Sequence, residues 1–481
     1  MGHDELEALS GRARRDLVLI AHPRSPWLEA KQAPDGSPAL DVLIVGAGQS
    51  GAAIAFGLMR AQVTNILVLD KAAEGREGPW LTYARMRTLR SPKDYTGPDL
   101  DVPNLTYRAW HEACFGAESW ERMELIPKEL WAEYLLWVRR VTGIPVRNET
   151  EVIDIAPCGS DLLAVTTVAS DGARGTFYAR KVVLATGQEG TGDWWMPEFV
   201  AKLPRHLRAH AGDDIDFEAL RGKVVAVLGA GASALDNAAA ALEHGAAAVH
   251  IFCRRPHVQV IQPYRWLTFA GFLRHLSDLD DAWRWRFMST ILGLREGFPQ
   301  ETYDRCARHP NFTLHTGAPW LSARAEGDKA VVETPSGLFP ADFLICGTGI
   351  GMDFGLRPEL ARFADNIATW ADRYEPPEAE RNERLGRYPY LAPDYAFTEK
   401  VQGRTPWIGN IHLFAIGSTM SFGPSGSSIN AMTTAVAKLV SGITRGLFQA
   451  DVERHWQSLL AYDVPQAVIA APTRERKHRG H

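Results

Sequence analysis

Two short segments of the chain have the residue types and spacing needed to hold a phosphate group. Residues 46–51 read Gly-Ala-Gly-Gln-Ser-Gly and residues 229–234 read Gly-Ala-Gly-Ala-Ser-Ala; each follows an apolar run and opens an alanine-rich stretch. The first glycine of such a turn allows a tight bend, and the second lets the backbone approach a pyrophosphate. The phosphates then lie on a helix N-terminus, whose free N–H groups favour negative charge. Each segment therefore predicts a dinucleotide site.

The residues that end the next strand distinguish the two sites. Asp70 closes the apolar run after the first turn, where a carboxylate accepts a ribose 2′-hydroxyl and repels a 2′-phosphate. The first site therefore suits FAD or NAD. Arg254 and Arg255 occupy the equivalent place after the second turn, and guanidinium groups can bind a 2′-phosphate bidentately. This pattern predicts NADPH at the second site, the alternative being two surface arginines on a solvated loop.

An internal repeat shows which elements position these turns. After each nucleotide unit come a small β-meander and an apolar strand that ends in a Thr-Gly turn, at 186–187 in the first copy and 348–349 in the second. Two copies of one architecture are a stronger signal than either motif alone. They predict an α/β fold with two Rossmann-like dinucleotide-binding domains of three-layer ββα type, the NADPH domain being inserted in the FAD domain.

The repeat also predicts domain boundaries. The segment rich in Trp, Phe and Leu at 263–299 exceeds the short connection that a plain second domain needs, and it is either a cap over the active site or a helical core. A helix is expected over 4–20, a final strand over 412–416 and a helix over 429–439. The expected units are an N-terminal extension (1–40), the first part of the FAD domain (41–199), the NADPH domain (200–340), the second part of the FAD domain (341–450), and a C-terminal helix with a basic tail (451–481).

Composition limits the classes of function. The 481 residues carry a net charge of −5, which argues against nucleic acid as a partner. No apolar run reaches the roughly 20 residues that a membrane-spanning helix needs, and no secretory signal is visible. The five cysteines lie far apart and show no metal-ligand spacing, so no metal is expected. The expectation is a cytoplasmic protein without nucleic-acid or membrane partners, with a homo-oligomer left open.

Two further segments and one histidine carry a resemblance to a known family. Residues 183–187 read Val-Leu-Ala-Thr-Gly, residues 88–94 read Thr-Leu-Arg-Ser-Pro-Lys-Asp, and His210 precedes the second nucleotide unit. With the two turns, they make the chain over roughly 41–450 similar to the class B flavin-dependent monooxygenases, which include flavin-containing, N-hydroxylating and Baeyer–Villiger-like enzymes. Arg90 stands where flavin-containing monooxygenases carry an active-site asparagine. Disulfide reductases of the same architecture need a close cysteine pair, whose absence excludes that branch.

The resemblance implies a reaction. It predicts an NADPH-dependent FAD monooxygenase that inserts one atom of O₂ into a small organic substrate through a C4a-(hydro)peroxyflavin, by N-hydroxylation or by related heteroatom or ketone oxygenation. The candidate catalytic residues are Arg90 and His210. Arg90 either stabilises a peroxyflavin anion, holds NADP⁺ or forms a structural ion pair, and His210 is expected to stabilise the inter-domain hinge. The alternatives are a flavin reductase or dehydrogenase without oxygen insertion, and a non-catalytic flavin redox sensor, against which Arg254 and Arg255 argue.

The resemblance also extends the set of cofactor residues. Trp80 either lies along the flavin or is a core tryptophan beside an ordinary turn. The Gly- and Ser-rich residues 418–428 either bring a helix N-terminus to the reduced flavin or form a routine loop. The predicted cofactor-binding residues are Gly46, Gly48, Gln49, Ser50, Gly51, Asp70, Lys71, Trp80, Thr186, Gly187, Gly229, Gly231, Ser233, Ala234, Arg254, Arg255, Gly349 and Gly417.

Overall fold

The structure is a computed structural model that describes residues 2–20, 25–95, 97–294 and 297–469. Its strands form two large sheets and two small ones. They are β1 (Lys31–Gln32), β2 (Pro38–Val45), β3 (Ile66–Leu69), β4 (Val146–Arg147), β5 (Thr150–Cys158), β6 (Leu162–Ala169), β7 (Arg174–Leu184), β8 (Gly192–Trp194), β9 (Arg208–His210), β10 (Val224–Leu228), β11 (Ala248–Cys253), β12 (Phe312–Thr316), β13 (Ser322–Glu326), β14 (Lys329–Thr334), β15 (Gly337–Ala341), β16 (Phe343–Cys346), β17 (Ile350–Met352) and β18 (Ile411–Leu413).

The α-helices cover these sheets and connect them. They are α1 (Gly2–Leu19), α2 (Gln49–Arg60), α3 (Tyr107–Phe115), α4 (Ala117–Arg122), α5 (Lys128–Thr142), α6 (Glu198–Ala201), α7 (Ala232–Glu243), α8 (Pro263–Trp266), α9 (Ala270–His275), α10 (Asp281–Leu294), α11 (Gln300–Ala307), α12 (Pro358–Ala361), α13 (Trp370–Arg373), α14 (Glu383–Gly386), α15 (Thr419–Phe422), α16 (Met432–Ala450) and α17 (Val452–Leu460). Among the described residues, none of the helices combines the length and the apolar character required to cross a membrane.

The first sheet carries the first glycine turn. Its strand order is β4-β3-β2-β7-β6-β5, with β1 beside β2 and β18 beside β7. Strands β4, β3, β2, β7 and β18 pair in parallel, whereas β5, β6 and β7 form an antiparallel meander. Val42, Leu43 and Ile44 are fully buried because elements cover both faces of a parallel sheet. The predicted α/β fold with Rossmann-like cores is confirmed.

The second sheet carries the second glycine turn. Its order is β12-β11-β10-β16-β9, and all its pairs are parallel. Strands β13, β14 and β15 form the separate meander that the repeat predicts. Because β16 pairs with β10, the sheet continues through Cys346, and the expected boundary after residue 340 falls before its last strand. The two-stranded ribbon of β8 and β17 lies between the two large units in sequence.

Several predicted elements differ from the observed ones at their ends. The expected helix over 4–20 is α1, which spans Gly2–Leu19. The last strand, β18, ends at Leu413, three residues before the expected end at 416. A 3₁₀ turn at Ile429–Ala431 precedes α16, so the regular helix begins at Met432 rather than at 429. The basic tail at 474–479 lies outside the described residues.

The aromatic insertion forms α8, α9 and α10 and packs on the second part of the first unit. Trp285 and Met288 are fully buried together with Trp370 and Met420, which lie far downstream in the chain. Other aromatic side chains of the insertion stay half-exposed, namely Trp266, Phe269 and Trp283. Part of the insertion is therefore helical core, as one of the two sequence-based interpretations expected.

Candidate active site

The first glycine turn joins β2 to α2 in a conformation that side chains would block. Gly46 has φ +103°, and a Cβ there would overlap the carbonyl oxygen of Ala185 at the end of β7. A Cβ on Gly51 would overlap the carbonyl oxygen of Gly46 itself. In contrast, a Cβ on Gly48 would meet nothing nearer than the Gly78 backbone at 3.9 Å. The space in front of Gly48 is thus open, which fits the approach of a pyrophosphate to the N-terminus of α2.

Asp70 holds the turn from the end of β3. Its Oδ2 accepts a hydrogen bond from the N–H of Ala47 at 2.7 Å, and its Oδ1 accepts one from the N–H of Ala72 at 2.8 Å. Burial raises the pKa of the Asp70 carboxyl, and these two hydrogen bonds oppose the rise. Each carboxylate oxygen keeps lone-pair capacity, so Asp70 can also accept a ribose hydroxyl.

Buried polar atoms without a partner lie beside this turn. Trp80 Nε1 and Thr186 Oγ1 are buried and make no hydrogen bond with any described residue. A cavity along the turn is lined by Gly48 and Trp80, among others. Trp131 packs edge-on against Trp80 and donates from Nε1 to Gln49 Oε1 at 3.3 Å. Since unpaired buried donors are costly, these atoms fit a bound group that would pair with them.

Sequence reasoning missed the polar residues that close this cavity. Glu77 and Arg139 also line it and form an ion pair of 2.9 Å. Asn148 Nδ2 donates to the same Glu77 Oε1 at 2.6 Å. These partners are about 60 to 70 positions apart in the chain, so no local spacing could have identified them.

The second glycine turn has the same geometry with one exchange. Gly229 has φ +108°, and a Cβ there would lie 2.5 Å from the carbonyl oxygen of Gly347. Nothing lies within 4 Å of a Cβ built on Gly231, so this backbone too is open to a ligand. Ala234 takes the third position and faces Gly347, whose own Cβ would lie 2.5 Å from that of Ala234. The residues present therefore fit a second pyrophosphate at the N-terminus of α7.

The two arginines after β11 have different surroundings. Arg255 donates from Nη1 to the carbonyl oxygen of Leu294 at 3.2 Å and from Nη2 to that of Gly293 at 3.0 Å. It therefore holds the C-terminal end of α10 in the aromatic insertion. Arg254 is exposed, and its guanidinium has no hydrogen bond or ion pair with any described residue. Of these two arginines, Arg254 is therefore the one that remains available for a 2′-phosphate, as far as the described residues extend.

His210 lies at the junction of the two units. Its ring stacks on Trp194 of β8 with centroids 5.0 Å apart, and its Nδ1 accepts the N–H of Gly212 at 3.0 Å. Burial lowers the pKa of His210 to about 4, so the imidazole is neutral at physiological pH. Its place beside the β8–β17 ribbon fits the expected hinge role.

Arg90 contacts the second unit rather than the first turn. Its Nη2 forms an ion pair of 2.8 Å with Asp236 Oδ2 on α7, and its Nε is buried without a partner. The structure thus favours the ion-pair interpretation of Arg90, while its free Nε can still meet a ligand.

The remaining predicted residues lie around the two glycine turns and the two Thr-Gly turns. Lys71 and Ser233 are exposed, and Ser50 lies in the first turn of α2. Gly187 and Gly349 follow Thr186 and Thr348 in the two Thr-Gly turns, with φ of +69° and +81°. A Cβ on Gly417 would lie 2.5 Å from Thr191, so this glycine is required for packing.

The thiols and possible metal ligands are dispersed. All five cysteines are free, and three of them are buried: Cys253, Cys306 and Cys346. Over the described part of the chain, no group of three or more His, Cys, Asp or Glu side chains could hold a metal ion.

Comparison with known proteins connects this architecture to flavoenzymes. A family model described as pyridine nucleotide-disulphide oxidoreductase matches residues 43–269. The chain is similar to the ornithine hydroxylase of Pseudomonas aeruginosa, with a TM-score of 0.64 and 16% identity over 85% of this chain and 99% of that one. It is similar to the ornithine N-hydroxylase of Kutzneria sp. 744, with a TM-score of 0.65 and 18% identity over 85% and 100% of the two chains. These structures share the fold.

A closer likeness covers nearly the whole chain. The FAD-dependent urate hydroxylase of Xanthomonas campestris pv. campestris is 38% identical over 464 residues, which are 96% of this chain and 97% of that protein. An alignment of that length includes both glycine turns, the hinge and the aromatic insertion. The chain therefore belongs to the class B flavin-dependent monooxygenases and is an FAD-dependent oxidoreductase.

Proposed function

We propose that the protein is an NADPH-dependent FAD monooxygenase that hydroxylates urate or a closely related oxopurine with one atom of O₂. The observation that carries this proposal is the 38% identity to a urate hydroxylase over 96% of the chain. The solved N-hydroxylases are 16% and 18% identical, which supports a shared fold but not a shared substrate. Urate therefore ranks before an amine as the substrate.

The chain's own residues support one cofactor at each turn. Gly48 leaves the space for the FAD pyrophosphate, and Trp80 Nε1 and Thr186 Oγ1 are donors without a protein partner beside it. The N-terminus of α7 holds the NADPH pyrophosphate, and the free Arg254 guanidinium meets the 2′-phosphate. When bound, the two cofactors supply hydride transfer and oxygen activation.

Asn430 is our candidate for holding the substrate. It precedes α16 and follows Ile429, which packs beside Gly97 and Trp131 near the first turn. Asn430 Nδ2 donates to Thr268 Oγ1 of the insertion at 3.3 Å, and Thr268 Oγ1 in turn donates to the carbonyl oxygen of Tyr264 at 2.7 Å. This chain orients the amide and leaves Oδ1 buried and unpaired. A substrate N–H, as oxopurines carry, would satisfy it.

The test is oxygen transfer to urate. Purified FAD-loaded protein is mixed with NADPH, ¹⁸O₂ and urate, with ornithine in a parallel reaction. We expect urate-dependent NADPH oxidation and one ¹⁸O atom in the product for each NADPH consumed. Oxidation of NADPH that yields only hydrogen peroxide with either compound would contradict a monooxygenase. Turnover with ornithine but not with urate would support a monooxygenase and would reject an oxopurine as its substrate.

A further inference from the structure

Charged side chains of the two dinucleotide units meet in a network at their boundary. Arg90 pairs with Asp236 at 2.8 Å, and Arg87 pairs with Glu243 at 2.8 Å. Both arginines lie between β3 and α3, whereas both acids lie on α7. Arg305 of α11 connects the acids, at 3.2 Å from Asp236 and with two hydrogen bonds of 3.0 Å to Glu243.

The centre of this network is buried. The side chain of Asp236 is 3% exposed and that of Arg305 is 2% exposed. Arg305 Nη1 also donates to the backbone carbonyl oxygen of Arg85 at 3.2 Å, so it crosses the boundary as well. Removing one member of a buried ionic network leaves an uncompensated charge, which is strongly unfavourable. Because these hydrogen bonds need fixed directions, the network forms in one relative orientation of the two units.

The network joins segments of the chain that belong to the two proposed cofactor sites. Asp236 is four residues, about 6 Å along the axis, from Ala232 at the N-terminus of α7. Arg90 belongs to the segment that follows Trp80, which lines the cavity at the first turn. The Arg90–Asp236 contact thus connects the helix for one cofactor to the segment beside the other.

We propose that Arg90 is a positioning residue for hydride transfer. Through Asp236 and Arg305, it holds α7 in the orientation that brings the nicotinamide to the flavin. This inference rests on the proposed function, and it gives Arg90 a role through the second unit rather than at the reacting atoms. The network thereby sets the rate of flavin reduction more than the affinity for NADPH.

The experiment compares Arg90→Gln, Arg90→Lys, Asp236→Asn and the Arg90→Gln/Asp236→Asn double variant, all loaded with FAD. Anaerobic rapid mixing with NADPH gives the rate of flavin reduction, and titration gives the dissociation constant of NADP⁺. Hydrogen–deuterium exchange without NADPH follows the backbone amides of residues 85–90 and 232–243. Arg221→Gln is the matched control, because it removes an exposed arginine that pairs with Glu218 within the second unit and lies outside the network.

We expect Arg90→Gln to slow flavin reduction about 10- to 100-fold, because a misplacement of about 1 Å can cost that much. The NADP⁺ dissociation constant should change little, exchange should quicken in both segments, and Arg90→Lys should recover part of the rate. The double variant should be no slower than Arg90→Gln, and the Arg221→Gln control should stay near the wild type.

Three outcomes would overturn the positioning role. The first is a wild-type rate of flavin reduction in Arg90→Gln, and the second is a change in the NADP⁺ dissociation constant without a change in that rate. The third is slow flavin reduction in Arg90→Gln while its hydrogen–deuterium exchange is unchanged and Asp236→Asn reduces the flavin at the wild-type rate. Failure of the wild type itself to reduce FAD with NADPH would instead reject the proposed function.

Discussion

The two glycine turns differ in where the third position meets its nearest neighbour. In the first unit the third position of the turn is Gly51, and the residue after the neighbouring strand is Ala185. In the second unit the third position is Ala234, and the residue after the neighbouring strand is Gly347. In both units the first glycine of the turn faces the carbonyl oxygen of that neighbouring residue.

The difference shows that the third position cannot be interpreted alone. Ala234 has room because position 347 carries no Cβ, which would lie 2.5 Å from its own. Gly51 has no such room, since a Cβ there would overlap the Gly46 carbonyl oxygen. In the first turn the third position is therefore limited by the turn itself, whereas in the second turn it is limited by the residue after the neighbouring strand.

The largest expected effect comes from adding a methyl group to the first turn. Gly51→Ala should destabilise the protein by about 3 kcal/mol or more and abolish FAD binding, because the Gly46 backbone cannot yield. Flavin absorbance per mole of purified protein and the thermal midpoint measure this. Gly11→Ala on α1, where a Cβ meets nothing within 4 Å, should keep its FAD. A flavin-replete Gly51→Ala would show that the turn adapts.

At the second turn, a harmful substitution should be compensated by a second substitution at the residue that it contacts. Gly347→Ala should lower kcat/KM for NADPH by about 10- to 100-fold, the effect of roughly 1–3 kcal/mol of overpacking against Ala234. Adding Ala234→Gly removes the opposing methyl group and should recover part of the loss. Steady-state kinetics of the single and double variants measure the coupling. Simple additivity of the two changes would show that positions 347 and 234 do not compete for the same space.

Variants of the two arginines of the second site should distinguish selectivity for NADPH from support of the surrounding structure. Arg254→Ala should lower kcat/KM for NADPH by about 10- to 100-fold, as expected for losing a charged contact of about 1.5–3 kcal/mol, and leave NADH unchanged. Arg255→Ala should affect both cofactors alike and less strongly, because its guanidinium holds the carbonyl oxygens of α10. Parallel kinetics with both cofactors measure this. A selective loss of NADPH use in Arg255→Ala would reverse the assignment.

The smallest expected effect concerns His210, the last residue of β9, at the junction of the two units. Burial lowers the pKa of His210 to about 4, so the folded state binds fewer protons than the unfolded state at mildly acid pH. Its contribution to stability is therefore fully present above the ordinary value of 6.5 and is lost as the pH falls towards about 4.

Replacing His210 by Asn, whose side-chain oxygen can accept the Gly212 N–H, should remove this dependence. We expect the fall in stability between about pH 8 and about pH 6 to shrink by about 1 kcal/mol. Denaturant unfolding at the two pH values measures it. Burial also lowers the pKa of His412 to about 4, so part of the wild-type slope should remain. An unchanged slope would place the pH dependence elsewhere.

Local patterns predicted the parts of the fold that depend on neighbours in sequence. The glycines at 46–51 and 229–234 require turn conformations that few other residues adopt, so both strand–turn–helix units could be located. The apolar run that Asp70 was expected to close is strand β3, which ends at Leu69. The boundary near residue 340 could not be predicted as well, because the pairing of β16 with β10 joins residues more than 100 positions apart.

The amino-acid sequence by itself determined the repeated nucleotide-binding architecture, because glycine freedom, apolar periodicity and strand-end charge act over a few residues. Only the tertiary structure decided what each arginine does. Arg254 and Arg255 are adjacent in sequence, yet only Arg255 meets the helix end of the insertion. Arg90 finds Asp236 146 positions away. A long charged side chain can pair with any carbonyl or carboxylate that folding brings within reach, so its partner is a property of the packed chain.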